Sequence, residues 1–194
     1  MSRTATEHRK SLETDVTVIL DLDGSGTSNI ETGVGFFDHL LTAFAHHGLF
    51  DLTATTSGDL HIDEHHTVED TALVIGRALS TALGDRSGIF RFGDAVVPMD
   101  EAVATAVVDV GGRPYSVIEI PFHSDRIGTL GTQMIPHALE ALARASGSTL
   151  HISAQGRNDH HMAEAAFKAL GRALRFAVAV DPRRDGLAST KGTT

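Results

Sequence analysis

The chain has 194 residues, 41% of them hydrophobic, enough for one substantial domain or two small ones with a buried core. Sixteen basic residues against 25 acidic ones give a net charge of −9, which argues against nucleic acid or an anionic membrane as a partner. Cysteine is absent, so disulfides, thiolate zinc and thiol catalysis are excluded, and any metal must be held by His, Asp or Glu.

In chain order, the opening run MSRTATEHRKSLETDVTV has basic residues but no apolar stretch of the kind a signal peptide needs. No later run is apolar for long enough to cross a bilayer, so the chain reads as soluble and cytoplasmic. The apolar alternation of VTVILDLDGSG predicts a strand over 14–23 that ends in a glycine turn, and a second strand over 27–33 closing a β-hairpin. Apolar residues at helical spacing behind His39 predict a helix over 36–47. A third strand over 49–56 and a helix over 65–83, beginning at His65 and His66, complete the first half. SGIFRFGDAVVPM reads as an added edge strand or a linker. The same order then returns: strands over 101–110 and 114–121, a helix over 130–146, a strand over 148–155, and a helix over 160–179.

That return is a duplication. HHTVEDTALVIGRALSTALGD from His65 aligns with HHMAEAAFKALGRALRFAVAV from His160 at an offset of 95 residues. His65/His160, His66/His161, Glu69/Glu164, Gly76/Gly171 and Arg77/Arg172 are identical pairs. Upstream, DHLLTAFAHHG aligns with PHALEALARASG and sets His39 on His137, and VTVILDLDGSG aligns with ATAVVDVGGR. The expected fold is α+β, with duplicated β-β-α-β-α half-domains over 1–86 and 87–194. The halves are expected to be related by a pseudo-twofold axis, with sheets on one side and helices on the other, as one compact unit.

On a helix, residues i and i+3 or i+4 share a face, whereas i and i+1 diverge by about 100°. Glu69 can therefore join His65 or His66 on one ion, but the two neighbouring imidazoles do not converge; the same holds for Glu164, His160 and His161. With His39 and His137 added, six histidines and two glutamates divide into two sets of three His and one Glu. Each ion should draw on both halves, and on different subunits. An octahedral ion keeps two positions open beyond four protein ligands, which suits Mn²⁺ or Fe²⁺, although zinc also binds such donors. Asp63, Glu64 and Asp159 read as helix-start residues rather than as acceptors for the ligand rings. A lone His8, His46, His61, His123 or His151 reads as a surface or strand residue.

FFDHLLTAFAHHGLFDLTATTSGDLHIDEHHTVED and HHMAEAAFKALGRAL closely resemble imidazoleglycerol-phosphate dehydratases, and the likeness continues through RFGDAVVPMDEA, VVDVGGRPY and STKG. The resemblance implies a fold like that of the second domain of ribosomal protein S5. It also implies removal of water from imidazoleglycerol phosphate in histidine biosynthesis, two Mn²⁺ per active site, and a 24-subunit homo-oligomer with sites between subunits. By motif, the metal ligands are His39, His65, His66, Glu69, His137, His160, His161 and Glu164. Glu13, His47, Arg91, Arg113, Lys168, Ser189 and Lys191 contact substrate, the Arg and Lys residues mainly at its phosphate. Glu13 and His47 are the candidates for proton transfer. Ala43 stands where many members carry Gln, which removes one polar substrate contact.

The hydrogen to be lost sits on a carbon without an adjacent carbonyl, so a side-chain base alone faces a poorly acidic bond. Metals on both ring nitrogens would hold the imidazole deprotonated and let the ring expel the neighbouring hydroxyl. The tail GLASTKGTT is disordered by composition and is expected to order over bound phosphate. Metal storage and two-metal phosphoester hydrolysis are the competing functional readings.

Overall fold

The computed structural model describes residues 3–192. In the first half, strands β1 (Thr4–Lys10), β2 (Thr14–Asp21), β3 (Ser28–Glu31) and β4 (Asp51–Gly58) form one sheet in the order β1-β2-β4-β3. Helices α1 (Gly35–Gly48) and α2 (His65–Leu83) belong to the same half. In the second half, β5 (Phe92–Met99), β6 (Ala102–Asp109), β7 (Tyr115–Glu119) and β10 (Thr149–Gln155) form the matching sheet, β5-β6-β10-β7. A short ribbon of β8 (Arg126–Ile127) and β9 (Leu130–Gly131) precedes α3 (Met134–Ser146), and α4 (Asp159–Val178) follows β10.

Inward-facing residues alternate along the inner strands, with Val16, Val18 and Leu20 on β2 and Ala104, Ala106 and Val108 on β6 all buried. Helices cover only that face of each sheet, and the helices of the two halves meet. Two glycines set the crossings. A Cβ on Gly76 of α2 would lie 2.7 Å from the Leu142 carbonyl oxygen of α3, and one on Gly171 of α4 would lie 2.4 Å from the Phe44 carbonyl oxygen of α1. Gly76 and Gly171 are a repeat pair, so the duplication extends to the packing: α1 of one half lies on α4 of the other, and α3 on α2.

Three expectations change. The strand after the glycine turn does not form a hairpin with β2. Instead β4 lies between them, antiparallel to β2 and parallel to β3. The Asp51 side chain explains this locally, because Oδ1 accepts the N–H groups of Ser25 at 2.8 Å and Thr27 at 2.9 Å and folds the turn over the start of β4. The hairpins of this fold are β1–β2 and β5–β6, so SGIFRFGDAVVPM supplies an edge strand, and TATEHRK a matching one. In the second half, residues 130–131 are ribbon, and α3 begins at Met134 with Pro136 in its first turn, where a missing N–H is tolerated.

Candidate metal centres

The crossing of α1 on α4 brings His39 to His160 and Glu164. Glu164 Oε2 lies 3.0 Å from His39 Nε2 and 3.1 Å from His160 Nε2. The two rings are 5.5 Å apart, and Phe36 walls one side with its ring 4.9 Å from that of His160. Burial opposes ionisation of Glu164, but Lys168, with Nζ at 2.7 Å from Oε1, and His39 outweigh it, and the carboxyl is held down to about 2. It is a carboxylate at neutral pH.

The crossing of α2 on α3 makes the second cluster. Glu69 lies 3.7 Å from His65 Nε2 and 3.5 Å from His137 Nε2, and the His65 and His137 rings are 4.9 Å apart. In each cluster the ligand atoms lie within 4.8 Å of one another. His137 Nε2 is buried with no hydrogen-bond partner among the described residues. A buried, unsatisfied imidazole nitrogen facing a carboxylate is costly in a metal-free site and natural in a loaded one. Two imidazoles and one carboxylate per cluster fit a divalent first-row ion.

His66 and His161 stay out of both clusters. Each ring is nearly perpendicular to that of its neighbour, at 81° for His65/His66 and 89° for His160/His161. Nδ1 of His66 meets Asp59 at 3.0 Å and Nδ1 of His161 meets Glu101 at 2.8 Å. A ring that donates from Nδ1 to a carboxylate keeps its Nε2 lone pair free for a metal. Those two Nε2 atoms look toward Glu13, at 3.7 Å, and Asp100, at 3.9 Å.

Asp59 and Glu101 are thus the ring acceptors, a role the sequence did not reveal because both lie at strand ends. Asp63, Glu64 and Asp159 instead bind main-chain N–H groups, of His65, of Gly131, and of His123 and Ser124 respectively. Setting β1–β2 on β5–β6 would have given the signal for Glu101, since Val16 aligns with Ala104 and Glu13 therefore with Glu101.

A third cluster gathers residues from β5, β6 and the tail. Arg91 donates Nε and Nη2 to the two oxygens of Asp109 at 2.7 and 2.8 Å, and Nη1 to the Ala188 carbonyl at 2.7 Å. A Cβ on Gly111 would stand 2.5 Å from that guanidinium, and the exposed Arg113 follows two residues later. The tail lies against the body of the chain, where its backbone pairs with 87–88 and Arg91 binds the Ala188 carbonyl just before Ser189. Thr193 and Thr194 lie outside the described residues.

The imidazoleglycerol-phosphate dehydratase family model matches residues 32–174. The chain belongs to that family. It is 55% identical to the imidazoleglycerol-phosphate dehydratase of Frankia casuarinae, over 99% of both chains. It is 54% identical to that of Methanococcoides burtonii, over 98% of both. The solved dehydratase of Staphylococcus aureus superposes with a TM-score of 0.83 at 34% identity, over 92% of this chain and 99% of that one. The family's reaction is a dehydration, so the chain is a hydro-lyase of histidine biosynthesis.

In this dehydratase the His39–His160–Glu164 cluster and the Arg91 cluster stand far apart. Arg91 N–H bonds the Ala177 carbonyl near the end of α4, and thirteen positions separate Ala177 from Glu164, about 20 Å of helix at 1.5 Å per residue. No three-carbon phosphate ester spans that distance. Lys168 lies beside Glu164, not with Arg91. His47 is half-buried, and burial, followed by Lys168, His46 and Arg172, lowers its pKa, so its ring is neutral near pH 7. Ala43 is buried and offers nothing polar.

Proposed function

We propose that the chain performs its family's reaction with two Mn²⁺ ions per active site, in a cytoplasmic homo-oligomer whose sites lie between copies. The observation that carries this reading is the pair of His–His–Glu clusters, each assembled across a helix crossing. The reaction removes water from imidazoleglycerol phosphate. The C–O bond beside the ring and the C–H bond on the next carbon break, and the resulting enol becomes the ketone imidazoleacetol phosphate.

His39, His160 and Glu164 would hold one ion, and His65, His137 and Glu69 the other. His66 and His161, whose Nε2 atoms point away from both clusters, complete the two sets from neighbouring copies. When bound, the ions supply Lewis acidity at the two ring nitrogens of the substrate.

Glu13 moves the proton. Its partner in the duplication, Glu101, is tied to His161 and to the N–H groups of Arg157 and Asn158, whereas the Glu13 carboxylate is half-exposed and has no hydrogen bond among the described residues. His47, kept neutral beside Lys168, is the second candidate. Arg91, Arg113, Ser189 and Lys191 bind the phosphate, with the Arg91 fork aligned by Asp109. Lys168 contacts substrate from beside Glu164.

The separation along α4 supports sites shared between copies, as do Phe92, Val96 and Val107, which stand exposed on the outer face of the second sheet. The assembly has 24 copies, each a single catalytic unit of halves 1–86 and 87–194, and neither nucleic acid nor membrane is a partner. No helix among the described residues is long and apolar enough to cross a membrane. Metal-dependent formation of the ketone from imidazoleglycerol phosphate tests the reading, and release of inorganic phosphate instead would select a hydrolase. Loss of turnover in Arg113→Ala with metal content intact separates an enzyme from a metal store.

A further inference from the structure

The two halves differ in one buried corner. In the first half, Arg9 of β1, Thr14 of β2 and Asp70 of α2 meet: Asp70 Oδ2 accepts from both Arg9 Nη1 and Thr14 Oγ1, and Arg9 Nη1 lies 3.3 Å from Thr14 Oγ1. Asp70 is 5% exposed and Thr14 3%. The register fixes their counterparts. Arg9 pairs with Val16 as Val97 pairs with Ala104, so Arg9 corresponds to Val97 and Thr14 to Ala102, and the 95-residue offset sets Asp70 on Ala165. All three counterparts are apolar, and Ala102 and Ala165 are buried. The fold therefore closes this corner without charge, and a buried carboxylate is retained where it costs desolvation.

What that carboxylate holds is the turn that carries Glu13. Thr14, fixed by Asp70, accepts the Ser11 N–H at 2.8 Å, and Ser11 Oγ in turn accepts the N–H groups of Glu13 at 3.1 Å and Thr14 at 3.0 Å. We propose that Arg9, Thr14 and Asp70 form a positioning triad that fixes the β1–β2 turn, and with it the Glu13 carboxylate, against the helix bearing His65, His66 and Glu69. In the second half the equivalent turn needs no such anchor, because Glu101 is tied down by its own side chain. The inference rests on the reading of Glu13 as the proton-transfer group.

The test is a double-mutant cycle on the metal-loaded full chain, with Glu13→Gln, Asp70→Asn and their combination. A triple variant carrying the counterpart residues, Arg9→Val, Thr14→Ala and Asp70→Ala, guards against a variant that merely fails to fold. The expected result is a fall in kcat of about tenfold to a hundredfold in Asp70→Asn and in the triple variant, with KM and metal content unchanged. In the Glu13→Gln background, Asp70→Asn should cost nothing further. A loss that multiplies with that of Glu13→Gln, or that tracks a loss of metal, overturns the triad. Full activity in Glu13→Gln overturns the reading of Glu13 and the triad with it, whereas a slowed Glu13→Gln beside a fully active Asp70→Asn overturns the triad alone.

Discussion

Glu101 accepts from His161 Nδ1 at 2.8 Å and leaves His161 Nε2 as the ring's only free nitrogen. The His161 hydrogen bond, with those of the Asn158 and Arg157 N–H groups, holds the Glu101 carboxyl down to about 2, so the ring faces a permanent anion at neutral pH. Removing such an orienting partner lowers metal affinity by about tenfold to a hundredfold. Glu101→Gln should therefore weaken Mn²⁺ binding by that factor in a chelator competition. Glu13→Gln, at the matched turn, should leave the affinity unchanged and lower turnover by about a hundredfold to ten-thousandfold. Equal metal affinities in the two variants would contradict the division of roles.

The helix crossings make a second prediction. In a helix interior, Gly→Ala ordinarily stabilises by about 1 kcal/mol. At Gly76 the new methyl would stand 2.7 Å from both the Leu142 oxygen and the Ala145 Cβ, and at Gly171 2.4 Å from the Phe44 oxygen. Overpacking reverses the sign, so each variant should lose about 1–3 kcal/mol in denaturant titrations. Because the same crossings bring His137 to Glu69 and His39 to Glu164, metal affinity should fall too. An unchanged midpoint would mean that the helices can part without cost.

Acid should remove metal before it unfolds the chain. Ligand imidazoles bind only when neutral, so metal, and the assembly with it, should be lost below about pH 6. The scaffold carboxylates titrate lower. Asp51, bonded by the N–H groups of Ser25 and Thr27, lies below the usual range, as does Asp159, where the His123 and Ser124 N–H groups outweigh burial. Such groups contribute stability that is present above their unfolded values near 4 and lost as pH falls through the folded ones. His66, raised by Asp59, and His47, lowered by burial, act in opposite senses as the pH falls from 7 to 5. The chelated chain should keep its Tm down to about pH 5 and lose it between about pH 4 and 2. A Tm that already falls steadily from pH 7 in chelator would refute this.

Arg91, the proposed phosphate ligand, also binds the Ala188 carbonyl of the tail. Arg91→Ala removes a charged fork worth about 1.5–3 kcal/mol, so KM should rise about tenfold to a hundredfold. The same change frees the Ala188 carbonyl, and trypsin should then cut faster at Arg183, Arg184 or Lys191. Arg91→Lys, which keeps the charge but not the fork, should restore little of either. Unaltered proteolysis would show that the tail is held by its pairing with 87–88 alone.

The helices and the duplication were legible because α2 and α4 repeat HHxxE above a 3.6-residue apolar period, and that pattern survives sequence drift. β1 was not, since it is an edge strand in which only Ala5 is buried, and TATEHRK therefore shows no alternation. The β2–β3 hairpin was misread because strand adjacency is non-local: nothing near Gly24 says that β4 will come between them. Helical spacing allowed Glu164 either His160 or His161, and Glu69 either His65 or His66, and the structure selects His160 and His65. Spacing had no means of choosing His39 for the first pair and His137 for the second, a choice made by the crossings at Gly171 and Gly76.

Those crossings also decide where a complete site is found. The α1–α4 cluster lies at the start of α4 and Arg91 at its end, about 20 Å away along the axis. Asp100 and Glu101, which face His161, likewise occupy the opposite end of the β5–β6 hairpin from Arg91 and Asp109. Under the proposed roles, a substrate whose ring reaches the metals and whose phosphate reaches Arg91 is expected to take them from two copies. Glu164→Ala should be inactive as a pure assembly, and Arg91→Ala nearly so at substrate concentrations well below its raised KM. If the two variants are dissociated by acid and chelator, mixed, and reassembled with Mn²⁺, some sites will combine an intact cluster from one copy with an intact Arg91 from another. Activity should then return in proportion to the fraction of such sites, with its maximum near an equal mixture. Mixed assemblies that form normally and remain inactive would place both groups in the same copy, and the distance along α4 would then have to close by a movement of the helix ends.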